Sequence, residues 1–297
     1  LLREGRMMLE ALAADAAGDA AIEATVLLEA GRRLDLPAGV RLREVVGDDA
    51  ATVVDAAGSA DCTLIVAPET DGILADRVGR VRLVGGRVPA PSAEFLAIAA
   101  DKQATIDCLA AAGLPVPAGR TLAAGEPVPE RFRLPAVLKA RDGAGGEGMR
   151  LLPAAGKPGE TMVADVDSRL EAYAAGTPVG VSCICSAATT RVLPPLVQRP
   201  PETTRHAFVG DPCEPLENRA AAGRARLLAE RAVAALVRAA GPAVGWVGVD
   251  MILGARHDGR DDRVLEINPR LTTSFVVQSR LAARSLVRSL LDSTACP

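Results

Sequence analysis

Two apolar stretches of strand length near the end of the chain, GWVGVDMILG (245–254) and DRVLEINP (262–269), carry acids where core residues belong. Joined by the polar loop ARHDGRDD, they read as an antiparallel hairpin. Side chains alternate along a strand, so Glu266 and Asn268 share one face while Leu265 and Ile267 share the other. Pairing across the hairpin brings Asp250 opposite Glu266. Two carboxylates that close repel each other unless a cation or a proton lies between them. Asp250, Glu266 and Asn268 then form an all-oxygen donor set that suits Mg²⁺, with Mn²⁺ an alternative; Mg²⁺ keeps waters and binds substrate phosphates as well. The competing reading is a pair of solvated strand acids. Against it, both acids are embedded in otherwise apolar strands, and Pro269 fixes the chain where it leaves the sheet. Thr272, Thr273 and Ser274 follow, and they either hydrogen-bond a substrate carboxylate or cap the last helix.

A second feature is the stretch LKARDGAGGEGMR (138–150), in which Gly143, Gly145 and Gly148 fit the spacing G-x-G-x-x-G. A dinucleotide-binding loop of that spacing opens into a helix. Here it is followed by MRLL and a proline, which reads as a second strand, and no G-K-[ST] closes it as a Walker loop. A glycine-rich hairpin of this kind lets backbone N–H groups approach phosphate oxygens, and Lys139 on the entering strand neutralises their charge. A flexible surface hairpin with an incidental lysine is the alternative.

The rest of the chain sets these features in order. The first ~95 residues alternate helical periodicity (5–17, 48–59, 70–79) with the short apolar runs ATVLL (24–28) and TLIVA (63–67), which predicts a small parallel sheet of βα units. GGRVPAPS (85–92) is a turn-rich connection, and helices are expected over 92–100 and 102–112, the second stopped by Gly113. From residue 134 strands follow one another without long helices: 134–140, 148–152, 161–166 and 179–187. One amphipathic helix spans 217–240 and a final one about 277–292. The chain opens LLREGRMMLEALAAD, directly in a helical pattern; α/β domains ordinarily begin with a strand, so a preceding segment is expected.

Composition narrows the function. With 297 residues, 49% of them hydrophobic, the chain can bury a sizeable core. A net charge of -3 and 2% aromatics, with Trp246 and Tyr173 alone of their kinds, argue against nucleic acid as a partner. No apolar run reaches the ~18–20 residues of a membrane helix, and no basic segment leads into an apolar one at the start, so the cytoplasm is the expected compartment. The cysteines, Cys62, Cys108, Cys183, Cys185, Cys213 and Cys296, form no C-x-x-C pair and read as reduced, mostly buried thiols. Cys183 and Cys185 share a strand face and read as core rather than as a metal site.

A lysine, a glycine hairpin and, more than a hundred residues later, D…E-x-N on paired strands together resemble the ATP-grasp superfamily. The likeness covers about residues 101–280, and the first 95 residues look like the α/β domain that usually precedes it. The resemblance implies an α/β chain, α+β in its C-terminal part: a pre-ATP-grasp parallel α/β domain over 1–95, then an ATP-grasp domain over 96–297 with a nucleotide-binding lobe at about 101–187 and a catalytic lobe at about 188–297. It implies ATP and Mg²⁺ as cofactors, with Lys102 and Lys139 as the nucleotide-binding lysines. Gly145, Gly146 and Gly148, with Gly143 beside them, would form the loop over the β- and γ-phosphates. Glu171 in LEAYAAG would open the hinge that lines the adenine pocket. Asp250, Glu266 and Asn268 match the metal ligands, and Arg270 would face the transferred phosphate or the acyl substrate, with Thr272, Thr273 and Ser274 beside it. The chain departs from the family pattern at two places: Gly176 is followed by TPVG where a ribose-binding acid is common, and Gly248 stands where a basic residue is common.

Three stretches, LLREG at the start, APETDGIL (67–74) and EINPRLTTS (266–274), resemble the tyramine–L-glutamate ligase group of methanofuran biosynthesis. The expectation is therefore an ADP-forming carboxylate–amine ligase whose partners are a small-molecule acid and an amine, with a homodimer allowed. Rivals are a ligase for another amino acid or peptide, a nucleotide-binding regulatory module, and a nicotinamide-binding protein that requires 149–160 to be helical. Arg191, Arg199 and Arg205, in the proline-rich connection 191–216, either hold an acidic substrate or belong to a solvated loop. With His206 and His257 the sole histidines, no Ser-His-Asp chemistry is expected.

Overall fold

The computed structural model of the protein describes residues 2–47, 49–146, 148–154, 162–198 and 213–294. Arg199, Arg205, His206 and Cys296 lie outside them.

The chain begins with α1 (Leu2–Ala17), whose Met8, Leu12 and Ala16 recur at helical spacing and are buried. Next come β1 (Thr25–Glu29), β2 (Arg41–Val45), α2 (Asp49–Ser59) and α3 (Ile73–Leu83), with a short 3₁₀ turn at Thr70–Gly72. β1 and β2 pair in parallel, as the alternation predicts. β2 escaped the sequence reading because RLREV is mostly exposed and lacks an apolar face. The run TLIVA does not form the expected strand. Among the described residues it joins no ladder, and its alternate side chains enter two different clusters, Leu64 and Val66 one and Ile65 and Ala67 the other.

α4 (Ala93–Ala100) and α5 (Lys102–Ala111) follow, capped by the side chains of Ser92 and Asp101. Then come β3 (Gly119–Leu122), β4 (Ala136–Ala140), β5 (Arg150–Leu152) and β6 (Ser168–Ala172), an antiparallel sheet in the order β3-β6-β4-β5. The expected strand at 161–166 is absent from the described part of that stretch: Thr161 lies outside it, and Val163 makes a single bridge to Pro127. The strand instead starts at Ser168, where SRLEA hides polar residues that tertiary contacts satisfy.

The larger sheet holds β7 (Thr177–Cys185), β8 (Thr190–Val192), β9 (Leu196–Val197), β10 (Glu214–Pro215), β11 (Gly245–Leu253) and β12 (Arg263–Asn268), in the order β10-β9-β7-β11-β12 with β8 also on β7. α6 (Arg219–Ala240) covers one face and is stopped by Gly241 at φ 86°. On that face, period-2 alternation buries Val179, Val181, Cys183 and Cys185 of β7 with Val247, Val249 and Met251 of β11, so the two cysteines are core, as expected. The expected helix at 277–292 is two helices, α7 (Ser274–Leu281) and α8 (Leu286–Ser293). The break comes where the Ser285 hydroxyl caps α8 by accepting from the Arg288 N–H. α1 packs on both and shares a cluster with Trp246, Leu271 and Phe275. Among the described residues no helix is long and apolar enough to cross a membrane.

Candidate active site

The face of the large sheet opposite α6 forms the floor of a cleft of about 390 Å³, and the small sheet forms its roof. Asp250 lies directly opposite Glu266 in the β11–β12 register, as the hairpin predicts. The register slips between Asp250 and Met251, a β-bulge. That bulge corrects one expectation: Leu265 joins Glu266 on the cleft wall instead of lying on the far face with Ile267. It also presents the Leu265 carbonyl to the Lys139 ammonium at 3.4 Å.

The cationic side chains come from three elements. Asp101 caps α5 by accepting from the Gln103 and Ala104 N–H groups, and it also pairs with Arg141. This fixes Lys102 in the first helical turn, where its ammonium donates to the Gly143 carbonyl and lies 3.5 Å from Glu266 Oε2. Lys139, buried on β4, is 2.8 Å from Glu171 Oε1, and Arg169 approaches the other oxygen of Glu171 at 3.1 Å. Arg270, just past β12, pairs with Glu69 from the first part of the chain.

Glu171 and Glu266 of the cleft thus have cationic neighbours, and Asp250 has amides instead. Gln198 Nε2 donates to one of its oxygens at 2.7 Å and Asn268 Nδ2 to the other at 2.8 Å. Burial, together with the charge of Glu266, pushes Asp250 up to about 7 against those two hydrogen bonds. Burial would also raise Glu266, but the charges of Lys102, Lys139 and Arg270 outweigh it and hold this carboxyl below its usual range. The donor set of Asp250, Glu266 and the Asn268 amide oxygen fits a hard divalent cation: it is all oxygen and partly buried, and among the described residues Asp250 forms no ion pair. No group of three or more Asp, Glu, His or Cys stands ready as a metal site among the described residues, so phosphate oxygens or water would complete the coordination.

Lys102, Lys139, Gly143, Gly145, Gly146 and Glu171 all line the cleft, as do Asp250, Glu266, Asn268 and Arg270 and the hydroxyl residues Thr272, Thr273 and Ser274. Gly148 does not; it is exposed and open space surrounds its α-carbon, so its positive φ serves the turn rather than the cavity. The loop joins two antiparallel strands, with Leu138 opposite Arg150, which removes the nicotinamide-binding alternative over 150–152; residues 155–160 lie outside the described part. The hydroxyls do not cap α7, since Thr273 makes no side-chain capping bond. Thr272 Oγ1 and Ser274 Oγ are 2.6 Å apart, Ser182 adds a third hydroxyl at 2.8 Å from Ser274, and the Trp246 indole N–H donates to Thr272. Gly248 is bare for a steric reason: a β-carbon there would sit 2.9 Å from Thr272 Cγ2.

Gln198, Glu69, Ser182 and Glu4 escaped the sequence reading as cleft or cleft-supporting residues. Gln198 follows a two-residue strand that no periodicity reveals, and its amide lies over Gly180, where a β-carbon would come 2.8 Å from Gln198 Nε2. Glu69 and Glu4 lie within APETDGIL and LLREG, where neither spacing nor periodicity marks a single acid as functional.

A family model described as the ATP-grasp domain matches residues 99–274, and one described as the pre ATP-grasp 3 domain matches residues 25–94. The chain belongs to the ATP-grasp family. Solved ATP-grasp structures share its fold. N5-carboxyaminoimidazole ribonucleotide synthetase from Thermotoga maritima superposes with a TM-score of 0.60 at 19% identity, covering 93% of this chain and 72% of that one. D-alanine–D-alanine ligase from Bacillus anthracis gives 0.63 at 15% identity, covering 86% of each chain. Biotin carboxylase from Campylobacter jejuni, in a β,γ-ATP complex, gives 0.66 at 16% identity, covering 100% of this chain and 69% of that one. No curated protein matches the sequence.

Proposed function

We propose that this protein is an ATP-dependent carboxylate–amine ligase, and that Asp250, Glu266 and Asn268 hold the magnesium of its nucleotide. The observation that carries the reading is Asp250, a carboxylate held by two amides and, among the described residues, in no ion pair, in the same cleft as Lys102, Lys139 and the glycine loop. Magnesium, when bound, neutralises phosphate charge as the γ-phosphoryl moves. Lys139 and the backbone N–H groups around Gly145 and Gly146 hold the phosphates. Arg270 faces the group in transfer.

The chemistry follows from the weakness of a carboxylate as an electrophile. A carboxylate oxygen of the acid attacks the γ-phosphorus and ADP leaves, giving an acyl phosphate. The amine nitrogen then attacks the carbonyl carbon, phosphate departs, and loss of a proton from nitrogen leaves the amide. The protein contributes orientation, charge placement and the exclusion of water from the acyl phosphate.

The finer reading is that L-glutamate is joined to tyramine or a related amine for a methanofuran-type coenzyme. Its support is convergence. Glu4 of LLREG lines the cleft, and Glu69 of APETDGIL binds Arg270 of EINPRLTTS, so three stretches far apart in sequence meet at one cavity. The test is ADP release from ATP with L-glutamate plus tyramine, run beside a panel of amino acids and amines with mass spectrometry of the products. Glu266→Gln is expected to abolish ADP formation while the folded state, read by far-UV circular dichroism, is retained. Turnover with other pairs but not this one moves the substrate assignment, and full turnover by Glu266→Gln at saturating Mg²⁺ removes its ligand role.

A further inference from the structure

We propose that Glu69 is a positioning residue for the reaction: its carboxylate holds the Arg270 guanidinium in the orientation that meets the transferred phosphoryl group. The proposal rests on the ligase reading of the cleft. Glu69 and Arg270 are 201 positions apart, yet their side chains are only 6% and 12% exposed. Arg270 donates from Nε and from Nη2 to the two oxygens of the same carboxylate, and from Nη1 to the Leu271 carbonyl. A guanidinium held along one edge by a carboxylate fork has a fixed plane, and its remaining N–H groups point in fixed directions. Because Arg270 also lines the cleft, those directions bear on whatever lies beside Glu266 and Asn268.

The turn that carries Glu69 is itself tied down. Asp71 has φ 53°, the one positive value at a described non-glycine residue, and its N–H donates to Asp142 Oδ2 at 2.9 Å. Asp142 immediately precedes the glycine loop. Residues 69–71 therefore touch both the arginine on the cleft floor and the root of the loop on its roof. A side chain held that way has little freedom to find other partners, so Arg270 inherits its placement from the first part of the chain.

The probes are MgADP, which does not reach the phosphoryl position, and MgADP with aluminium fluoride, a mimic of the phosphoryl in flight. Calorimetry on the full chain is expected to show Glu69→Gln binding MgADP within about twofold of wild type while the aluminium fluoride complex weakens by about tenfold or more. Arg270→Lys is expected to behave alike, and the double variant to lose no more than either single one, because both changes remove one guanidinium geometry. Additive losses, or an unchanged aluminium fluoride complex in Glu69→Gln, overturn the positioning role while leaving the ligase reading intact. Wild-type protein that binds no MgADP overturns both. If Glu69→Gln does not fold, Glu69→Asp is read the same way, since its carboxylate is one methylene too short to form the fork: selective loss of the aluminium fluoride complex supports the role, and wild-type affinity for it refutes the role.

Discussion

Asp250 and Glu266 face each other across β11 and β12, and their surroundings treat them in opposite ways. Because the folded state raises Asp250 from 3.8 to about 7, its contribution to stability is fully present below about pH 3.8 and is lost as pH rises towards 7. Glu266 is held below its ordinary value, so its contribution is lost only at more acidic pH. In metal-free protein, Asp250→Asn should therefore raise the melting temperature most at pH 8, less at pH 5, and little below about pH 3.8. Added Mg²⁺ should stabilise wild type at pH 8 but not the variant. Parallel pH profiles for the two proteins, measured by differential scanning calorimetry, would refute this account. Glu171 offers a second residue-level test. It lies between Lys139 and Arg169, all three buried. Replacing it with Gln leaves two buried cations short of an anion and should cost about 3–5 kcal/mol in urea denaturation. Lys139→Met should cost less, because Glu171 keeps Arg169, yet it should abolish nucleotide binding.

At the level of elements, the cleft depends on backbones that approach closely. Gly176, at φ 153°, precedes β7, and a β-carbon there would lie 2.2 Å from the Leu253 carbonyl at the end of β11. Gly176→Ala should push those two strand ends apart and lower stability by about 1–3 kcal/mol or more, read as a shift of the urea midpoint. The paired strands of this sheet were legible because they are long and apolar on one face, as Val247, Val249 and Met251 show. The bulge at Leu265 was not. Nothing in RVLEIN marks an extra residue, because a bulge is a property of two strands and the twist between them. SRLEA was equally opaque as a strand: Arg169 looks like a surface residue until Gln103 and the Pro117 carbonyl are brought to it.

Across the whole molecule, the first and last parts of the chain share a core. Met8 and Leu12 of α1 pack in one cluster with Trp246, Phe275 and Leu290, and Arg87 donates to the Thr294 hydroxyl at 2.7 Å. Cooperative unfolding follows from that arrangement. Trp246 fluorescence, the single tryptophan signal, and far-UV circular dichroism should report coincident urea transitions. Leu12→Ala should move both by about 2–5 kcal/mol. Separate transitions for the two probes would show instead that the two parts unfold independently.

Local chemistry written in the sequence determined the donor hairpin, the glycine loop with its lysine, and the α6-covered core, since each follows from strand or helix periodicity and from residues close together in the chain. The tertiary structure alone decided that Glu69 holds Arg270, that Gln198 reaches Asp250, that Glu171 lies between two buried cations, and that TLIVA joins no ladder. Each of these is a contact between distant residues, or the lack of one. Periodicity says which face of an element is apolar; it carries no information about which polar group from another element will meet the face that remains.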